Sequence, residues 1–333
     1  MAAPTLKDLP PPPPMRTGWP WTEGAPSTPA TMPDGAPWPR MSMTTPSFNQ
    51  AKYLEETIRS VLLQGYPNLE YFIFDGGSTD GSLDIIRKYE SWVTYCESGR
   101  DRGQGDAINK GFARSTGDYV AWINSDDVLY PGFITRMVTA FQKRPDCGLL
   151  YGDVDTAWDM ETKRTPRLGR STTVEEMLRT LKIPIPQQSC MWRRSVVEKI
   201  GPLEPGWRVT LDREYLMRTC LCTKFGYIPG SVALFRYHSG TIAMSEQRGW
   251  LTEIPKLYRE MFEKEYFPEK LRALRRETMS SAFMFCARTA VKCGEQWKSI
   301  VFTIKAIGIY PWLLFGKNDV YTAIRKRFRK LLS

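Results

Sequence analysis

Asp126 and Asp127 stand side by side after Asn124-Ser125 and the largely apolar run 119–123. Such a run between turn residues fits a buried strand, which puts the two carboxylates in the loop past its carboxyl end. Open α/β sheets bind ligands in that position. Hard divalent cations such as Mg²⁺ or Mn²⁺ prefer oxygen ligands, and a diphosphate would complete the shell. Asn-Ser-Asp-Asp is also ordinary turn chemistry and would cap a helix over 131–142. The residue types alone leave both readings open.

Three earlier stretches carry related groups. Pro46-Ser47-Phe48-Asn49-Gln50, Asp75-Gly76-Gly77-Ser78-Thr79-Asp80-Gly81 and the charged, glycine-rich 98–106 each follow a strand-like run, at 40–45, 69–75 and 92–97. Asp75 equally suits the cap of its own turn. Arg102 equally suits a surface pair with Asp101, which contributes about 0–1 kcal/mol.

The elements that must position these groups alternate. Strands at 40–45, 69–75, 92–97 and 119–123 are separated by helical patterns over 52–64, 82–89 and 107–113, the rhythm of βαβ units and a parallel sheet. Right-handed crossovers then gather all four loops on one rim. A rim of acids, an arginine and glycine turns suits a nucleoside diphosphate.

Further along, a strand at 148–153 leads through Asp153-Val154-Asp155 into a polar stretch ending near 172, which suggests an antiparallel hairpin. Gln187, Gln188 and Trp192 follow a proline turn; amides and an indole hydrogen-bond and stack on sugars, and Trp192 equally suits the core. Asp212 opens a helix over 210–218, where a capping role alone would account for it. His238 is the one histidine and follows a strand-like 232–235. Beyond 245 the pattern is helical, including 255–264 and 270–292.

Composition bounds the rest. With 333 residues and 42% hydrophobic content the chain can bury a substantial core. Its seven scattered cysteines read as buried thiols of a reducing compartment. No signal peptide and no run of about 18 apolar residues is evident, so a cytoplasmic protein is expected. Of the net charge of +10, half lies in 317–333, where six bases meet one acid. Val320, Ile324, Phe328, Leu331 and Leu332 share a helical face there, a pattern of helices lying on an anionic membrane surface; a basic helix packed on the domain is the alternative, and nucleic acid is not expected as a partner. Residues 1–39, rich in proline, read as a flexible leader with Trp19, Trp21 and Trp38 available to lie on the domain.

Taken together, Thr45-Pro46-Ser47-Phe48-Asn49-Gln50, residues 56–64, Phe74-Asp75-Gly76-Gly77-Ser78-Thr79-Asp80, residues 101–111 and Asn124-Ser125-Asp126-Asp127 resemble the inverting family-two glycosyltransferases of the GT-A fold, closely the bacterial polysaccharide-type members. The resemblance spans roughly 40–240. It implies a GT-A-type, Rossmann-like α/β domain over 40–245, a mostly parallel sheet flanked by helices, followed by a helical extension over 246–333 with a basic amphipathic tail. It implies donor binding by Pro46, Ser47, Asn49, Asp75, Arg102, Asp126 and Gln188, metal binding by Asp127 and His238, and Asp212 as the base that deprotonates the acceptor hydroxyl. Glycine at 76 departs from relatives with a second acid there, which puts the nucleotide's identity in question. The implied activity is Mg²⁺- or Mn²⁺-dependent transfer from a nucleotide-sugar donor to a glycan or lipid-linked acceptor, and the basic tail adds the expectation of a peripheral place on the inner face of the cell membrane. A nucleotidyltransferase, or a non-catalytic sugar-binding or membrane-scaffold module, is the competing expectation.

Overall fold

The β-rich first half of the chain builds one nine-stranded sheet. The computed structural model describes residues 3–161, 163–167 and 169–314, and these fall into two units. The first unit takes residues 1–171, 184–206 and 218–238 and holds the whole sheet. Its strands are β1 (Met41–Ser47), β2 (Leu69–Asp75), β3 (Tyr95–Ser98), β4 (Tyr119–Trp122), β5 (Val128–Leu129), β6 (Cys147–Trp158), β7 (Thr165–Arg167), β8 (Met191–Arg193) and β9 (Lys224–Tyr237). They run in the order β3-β2-β1-β4-β8-β6-β9-β5, with β7 paired to β6.

β3, β2, β1 and β4 are mutually parallel, as are β6 and β9. β8 is antiparallel to both β4 and β6, and β5 is antiparallel to β9. The hairpin expected near 148–172 is present as β6 and β7, joined antiparallel from Val154 opposite Arg167.

The crossovers are α1 (Ala51–Leu62), α2 (Ser82–Tyr89) and α3 (Gln104–Arg114), with α4 (Phe133–Gln142) after β5. Leu54, Ile58, Val61 and Leu62 are buried along α1, and Ile134, Met137, Val138 and Phe141 along α4, the spacing of amphipathic helices on a sheet. Gly111 of α3 faces Thr44, and a Cβ there would fall 2.2 Å from Thr44 Oγ1, so glycine sets how closely α3 approaches β1.

A flexible leader is expected, yet residues 3–39 are fastened to this unit. Arg59 of α1 is fully buried and donates to the carbonyls of Pro10, Pro20 and Trp21 and to the Tyr89 hydroxyl. Trp19 Nε1 donates to Leu129 O at 2.7 Å, and Leu9, Trp21 and Trp38 are buried. A buried guanidinium needs acceptors, and the proline-rich segment, poor in regular structure of its own, has carbonyls to give.

The second unit takes 172–183, 207–217 and 239 onward. It therefore includes 172–183, 207–217 and 239–245, three stretches inside the expected 40–245 domain. Its helices are α5 (Val174–Thr180), α8 (Ile242–Ser245), α9 (Trp250–Glu263), α10 (Glu269–Arg272), α11 (Arg275–Lys292) and α12 (Gln296–Ile309), while α6 (Arg194–Ile200) belongs to the first unit and α7 (Leu211–Cys222) is divided at residue 218. α11 is buried through Met279, Ala282, Phe283, Cys286, Ala287 and Ala290, and Ser280 and Ser299 hydroxyls donate to Ala306 and Ala287 carbonyls where α11 and α12 meet. None of the seven cysteines forms a disulfide. Among the described residues no helix is long and apolar enough to cross a membrane. The basic amphipathic segment 317–333 lies outside the described residues.

Candidate active site

The chain winds from β1 outward through β2 to β3 and then returns to the other side of β1 as β4. Such a reversal opens a crevice beyond the carboxyl ends of the two strands at the switch, here β1 and β4. Ser47 ends one, and 124–127 follow the other. Ser47, Asp75 and Ser98 stand opposite one another in register, so the three parallel strands end on one line.

The two adjacent acids of the β4 loop have different surroundings. Asp127 is 0% exposed; its Oδ1 accepts from Arg236 N at 3.0 Å and its Oδ2 from Gln188 Nε2 at 3.1 Å and Asn124 Nδ2 at 3.3 Å. Burial foremost, and then the neighbouring Asp126 charge, push its carboxyl well above the usual range. Asp126 faces His238 instead, Oδ2 to Nε2 at 2.9 Å, and its carbonyl accepts from Arg236 Nη1 at 2.8 Å.

The imidazole is held from its other side by Tyr53, ring centroids 4.6 Å apart. Tyr53 in turn donates to Asp159 Oδ1 at 2.6 Å and lies under the Arg236 guanidinium. Arg236 forms an ion pair with Glu56 at 3.3 Å, outside hydrogen-bond geometry, and its buried Nε has no partner among the described residues.

Each expected site residue can now be placed. Ser47 is buried at the carboxyl end of β1 with its Oγ unpartnered among the described residues. Pro46 is buried beside it in β1. Asp75 is 2% exposed and accepts from Gly77 N, Ser78 N, Ser78 Oγ and Ser98 Oγ, so it shapes the turn beneath the crevice. Asn49, at φ +52°, accepts from Thr79 N and ties the β1 loop to the β2 turn. Arg102 is 77% exposed along its side chain and pairs with Asp106 at 2.8 Å. Gln188 is committed to Asp127, and Trp192 is core, stacked on Trp122 with ring centroids 4.8 Å apart.

Asp127, His238, Asp126 and Gln188 are thus brought together, but His238 pairs with Asp126 and Gln188 with Asp127. Asp212 belongs to the second unit. It is exposed in the first turn of α7, accepting from Arg213 N at 2.7 Å. The loop before it is held by Glu253 of α9, whose carboxylate accepts from the backbone of Arg208, Val209 and Thr210 and from the Thr210 hydroxyl.

Arg236, Tyr53 and Glu56 are missed by the residue-type reading. Arg236 was within reach of it, since it stands two residues before His238 at the end of β9. Among the described residues no group of three or more His, Cys, Asp or Glu side chains could hold a metal, so any cation here would draw most of its ligands from substrate and water.

The sequence profile described as Glycosyl transferase family 2 matches residues 42–201. An uncharacterized glycosyltransferase of Nostoc sp. is 30% identical over 217 residues, 62% of this chain and 67% of that protein. The chain belongs to glycosyltransferase family 2. Another family relative, TuaG of Bacillus subtilis, whose name assigns it provisionally to teichuronic acid biosynthesis, is 43% identical over 94 residues, 27% of this chain and 36% of that protein. The solved structure of S. aureus TarS 1-349 in complex with UDP-GlcNAc aligns with a TM-score of 0.63 at 16% identity, over 83% of this chain and 81% of that one. The mannosyltransferase PcManGT from Pyrobaculum calidifontis, in complex with GDP-Man and Mn²⁺, aligns with a TM-score of 0.58 at 13% identity, over 89% and 81%. The family-two enzyme described here therefore has the GT-A architecture, and it is a glycosyltransferase.

Proposed function

We propose that this enzyme moves one sugar from a nucleotide-sugar donor to a glycan or lipid-linked acceptor of cell-surface polysaccharide synthesis, with inversion and dependent on Mg²⁺ or Mn²⁺. The observation that carries the donor half is the Asp126–His238 pair, 2.9 Å apart in the crevice between β1 and β4. A carboxylate oxygen and an imidazole nitrogen both suit Mn²⁺, and the carboxylate suits Mg²⁺. The donor set therefore fits a cation that also takes diphosphate oxygens. When bound, such an ion neutralises charge developing on the leaving diphosphate.

The chain's own groups do the remaining tasks. Asp127, closed off by its three donors, fixes the loop that presents Asp126. Tyr53 packs on the His238 ring and Arg236 donates to the Asp126 carbonyl, which helps to orient the pair. The Ser47 hydroxyl offers a hydrogen bond to the nucleotide at the end of β1. Asp212, an exposed carboxylate at a helix start, is the group proposed to take the acceptor hydroxyl proton as that oxygen attacks the anomeric carbon. The name of TuaG supports a polysaccharide acceptor, and the basic 317–333 supports a peripheral place on the inner face of the cell membrane.

The deciding assay incubates the full chain with Mg²⁺ or Mn²⁺, a panel of nucleotide sugars and glycan or lipid-linked acceptors. Release of nucleoside diphosphate with at least one donor is the expected result, and it ceases on chelation. Release of pyrophosphate from a nucleoside triphosphate would point to nucleotidyl transfer instead.

A further inference from the structure

β5 is the last strand of the sheet, so one of its sides has no strand beside it. It is only two residues long, Val128 and Leu129, opposite Leu234 and Ala233 of β9, and it follows directly on Asp126-Asp127. Tyr130 N donates to Val232 O, so by the antiparallel alternation the Leu129 N–H and C=O turn away from β9. Leu129 is 1% exposed, and buried backbone groups need partners. The N–H donates to the Ser60 hydroxyl of α1 at 3.1 Å, and the C=O accepts from Trp19 Nε1 at 2.7 Å. The segment ahead of the sheet thus caps its edge strand, and Trp19 also packs on Val128, Ala157 and Leu234.

Trp19 is held in turn. Arg59 of α1 donates to Pro10 O at 2.7 Å, to Pro20 O at 3.0 Å and to Trp21 O at 3.1 Å, on both sides of Trp19 in the chain. The same helix grips the acid loop, where the Thr57 hydroxyl donates to Asp127 O at 2.7 Å. On the other side of β5, β9 carries Arg236, whose N donates to Asp127, and is followed by His238, which meets Asp126. How β5 lies on β9 therefore sets how Asp126 meets His238. A pairing this short is marginal by itself, and the indole bond is one of the two that grip Leu129 from outside.

We propose that Trp19 is a positioning residue of the transfer reaction: its indole N–H holds β5 in place and so fixes Asp126 opposite His238, which makes the proline-rich segment a working part of the donor site. The proposal rests on the reading of that pair, given above, as the place of the nucleotide-sugar donor and its cation. Trp38 supplies the contrast. It is also a tryptophan of the segment, buried, and its Nε1 also donates to a carbonyl, Pro29 O at 2.8 Å, but this acceptor belongs to the segment itself. The two indoles thus make the same kind of bond at different places, and of the two bonds only that of Trp19 reaches the strand after the acids. A contribution to stability alone predicts like consequences at both. Positioning predicts a loss of rate at Trp19, since misplacing reacting groups by about 1 Å costs up to about 10²-fold.

The test compares the full wild-type chain with Trp19→Phe and Trp38→Phe, each of which keeps a ring and removes one indole donor. His238 is the one histidine of the chain, so tag-free protein carrying carbon-13 histidine gives one set of ring resonances, which reports the Asp126–His238 pair without metal or substrate. Trp19→Phe should broaden that signal or add a second one, and should lower kcat about tenfold or more at saturating Mn²⁺, acceptor and the donor found by the panel above. Trp38→Phe should lower the melting temperature by a like amount and leave the ring signal and kcat as in the wild type. An unchanged ring signal or an unchanged kcat in Trp19→Phe overturns the proposal, and so does an equal loss of kcat in Trp38→Phe. A wild type that transfers no sugar rejects the donor reading itself, and the ring signal then decides alone whether Trp19 holds the pair. Should Trp19→Phe fail to fold, urea-dependent amide exchange of the wild type reads the same point: the amides of Trp21 and Thr22, bonded to Gly18 O, should open together with those of Leu129 and Tyr130. Opening of the first two at lower urea while β5 stays protected overturns the proposal.

Discussion

Asp126 and Asp127 are adjacent in the chain and differ in what remains available on each carboxylate. Asp127 has protein donors on both oxygens and no exposure, whereas the Asp126 carboxylate faces the imidazole of His238. Their substitutions should therefore separate. Asp126→Asn should keep the unfolding free energy within about 0.5 kcal/mol of wild type and lower metal-dependent turnover by about 10²-fold or more. Asp127→Asn forces an amide NH₂ against at least one of the Arg236, Gln188 and Asn124 donors, and should cost about 1–3 kcal/mol of stability. Urea unfolding beside turnover measured against Mn²⁺ concentration checks both; loss of turnover without loss of stability at 127 alone would return the cation to Asp127. At Asp212, exchange for Asn keeps the size and the acceptor for Arg213 N, so donor affinity should stand while kcat falls about 10²-fold or more. Parallel loss of stability and activity would reduce Asp212 to a helix cap.

At the scale of elements, the parallel half of the sheet is held at its amino end by one carboxylate. Glu70 of β2 accepts from the Ser42 hydroxyl of β1 and from the backbone and hydroxyl of Thr116 ahead of β4, with Arg40 beside it. Burial by itself would raise its pKa, but the Ser42 and Thr116 hydrogen bonds and the Arg40 charge outweigh burial and lower it. A lowered folded-state value means stability that is present above the unfolded carboxyl pKa of about 4.3 and is lost as pH falls through the folded value. Glu70→Gln should cost about 1–2 kcal/mol at pH 7 and show a smaller further loss between pH 5 and pH 3 than wild type. Denaturation at those pH values reads the slope, and equal slopes would exclude Glu70 from the linkage. The β1 to β4 framework was legible because each strand is a short apolar run separated from the next by a 3.6-period helix. β5 and β8 were not, since two or three residues carry no period and pair only through distant partners. The grouping of 172–183 and 207–217 with the C-terminal helices was illegible for the same reason: Arg213 bonds to Leu181 and Tyr258, far away in sequence. Within the site, the acids and the histidine could be named from motif order, but which acid meets the histidine depends on how β9 brings Arg236 and His238 to the β4 loop.

At the scale of the whole molecule, charge and apolar surface gather toward the C-terminus. On α12 and just after it, Trp297, Ile300, Ile304 and Trp312 are exposed, and Trp297 is 74% exposed. An exposed indole and two isoleucines that precede the five bases of 325–330 in the sequence are a combination suited to a headgroup layer: apolar groups enter the interface and cations attract the anionic leaflet. Bases near such a leaflet contribute about 1 kcal/mol each, falling off within a Debye length. The full chain should therefore sediment with anionic liposomes, and rising salt should release it. A chain ending at Gly316 keeps α12 and loses the basic residues, so it should sediment less while transferring sugar to soluble acceptors at the wild-type rate. Equal sedimentation of the two chains would remove 317–333 from membrane binding. Salt-resistant sedimentation of both would assign it to the apolar face of α12, where Trp297→Ser with Ile304→Ser should then abolish it.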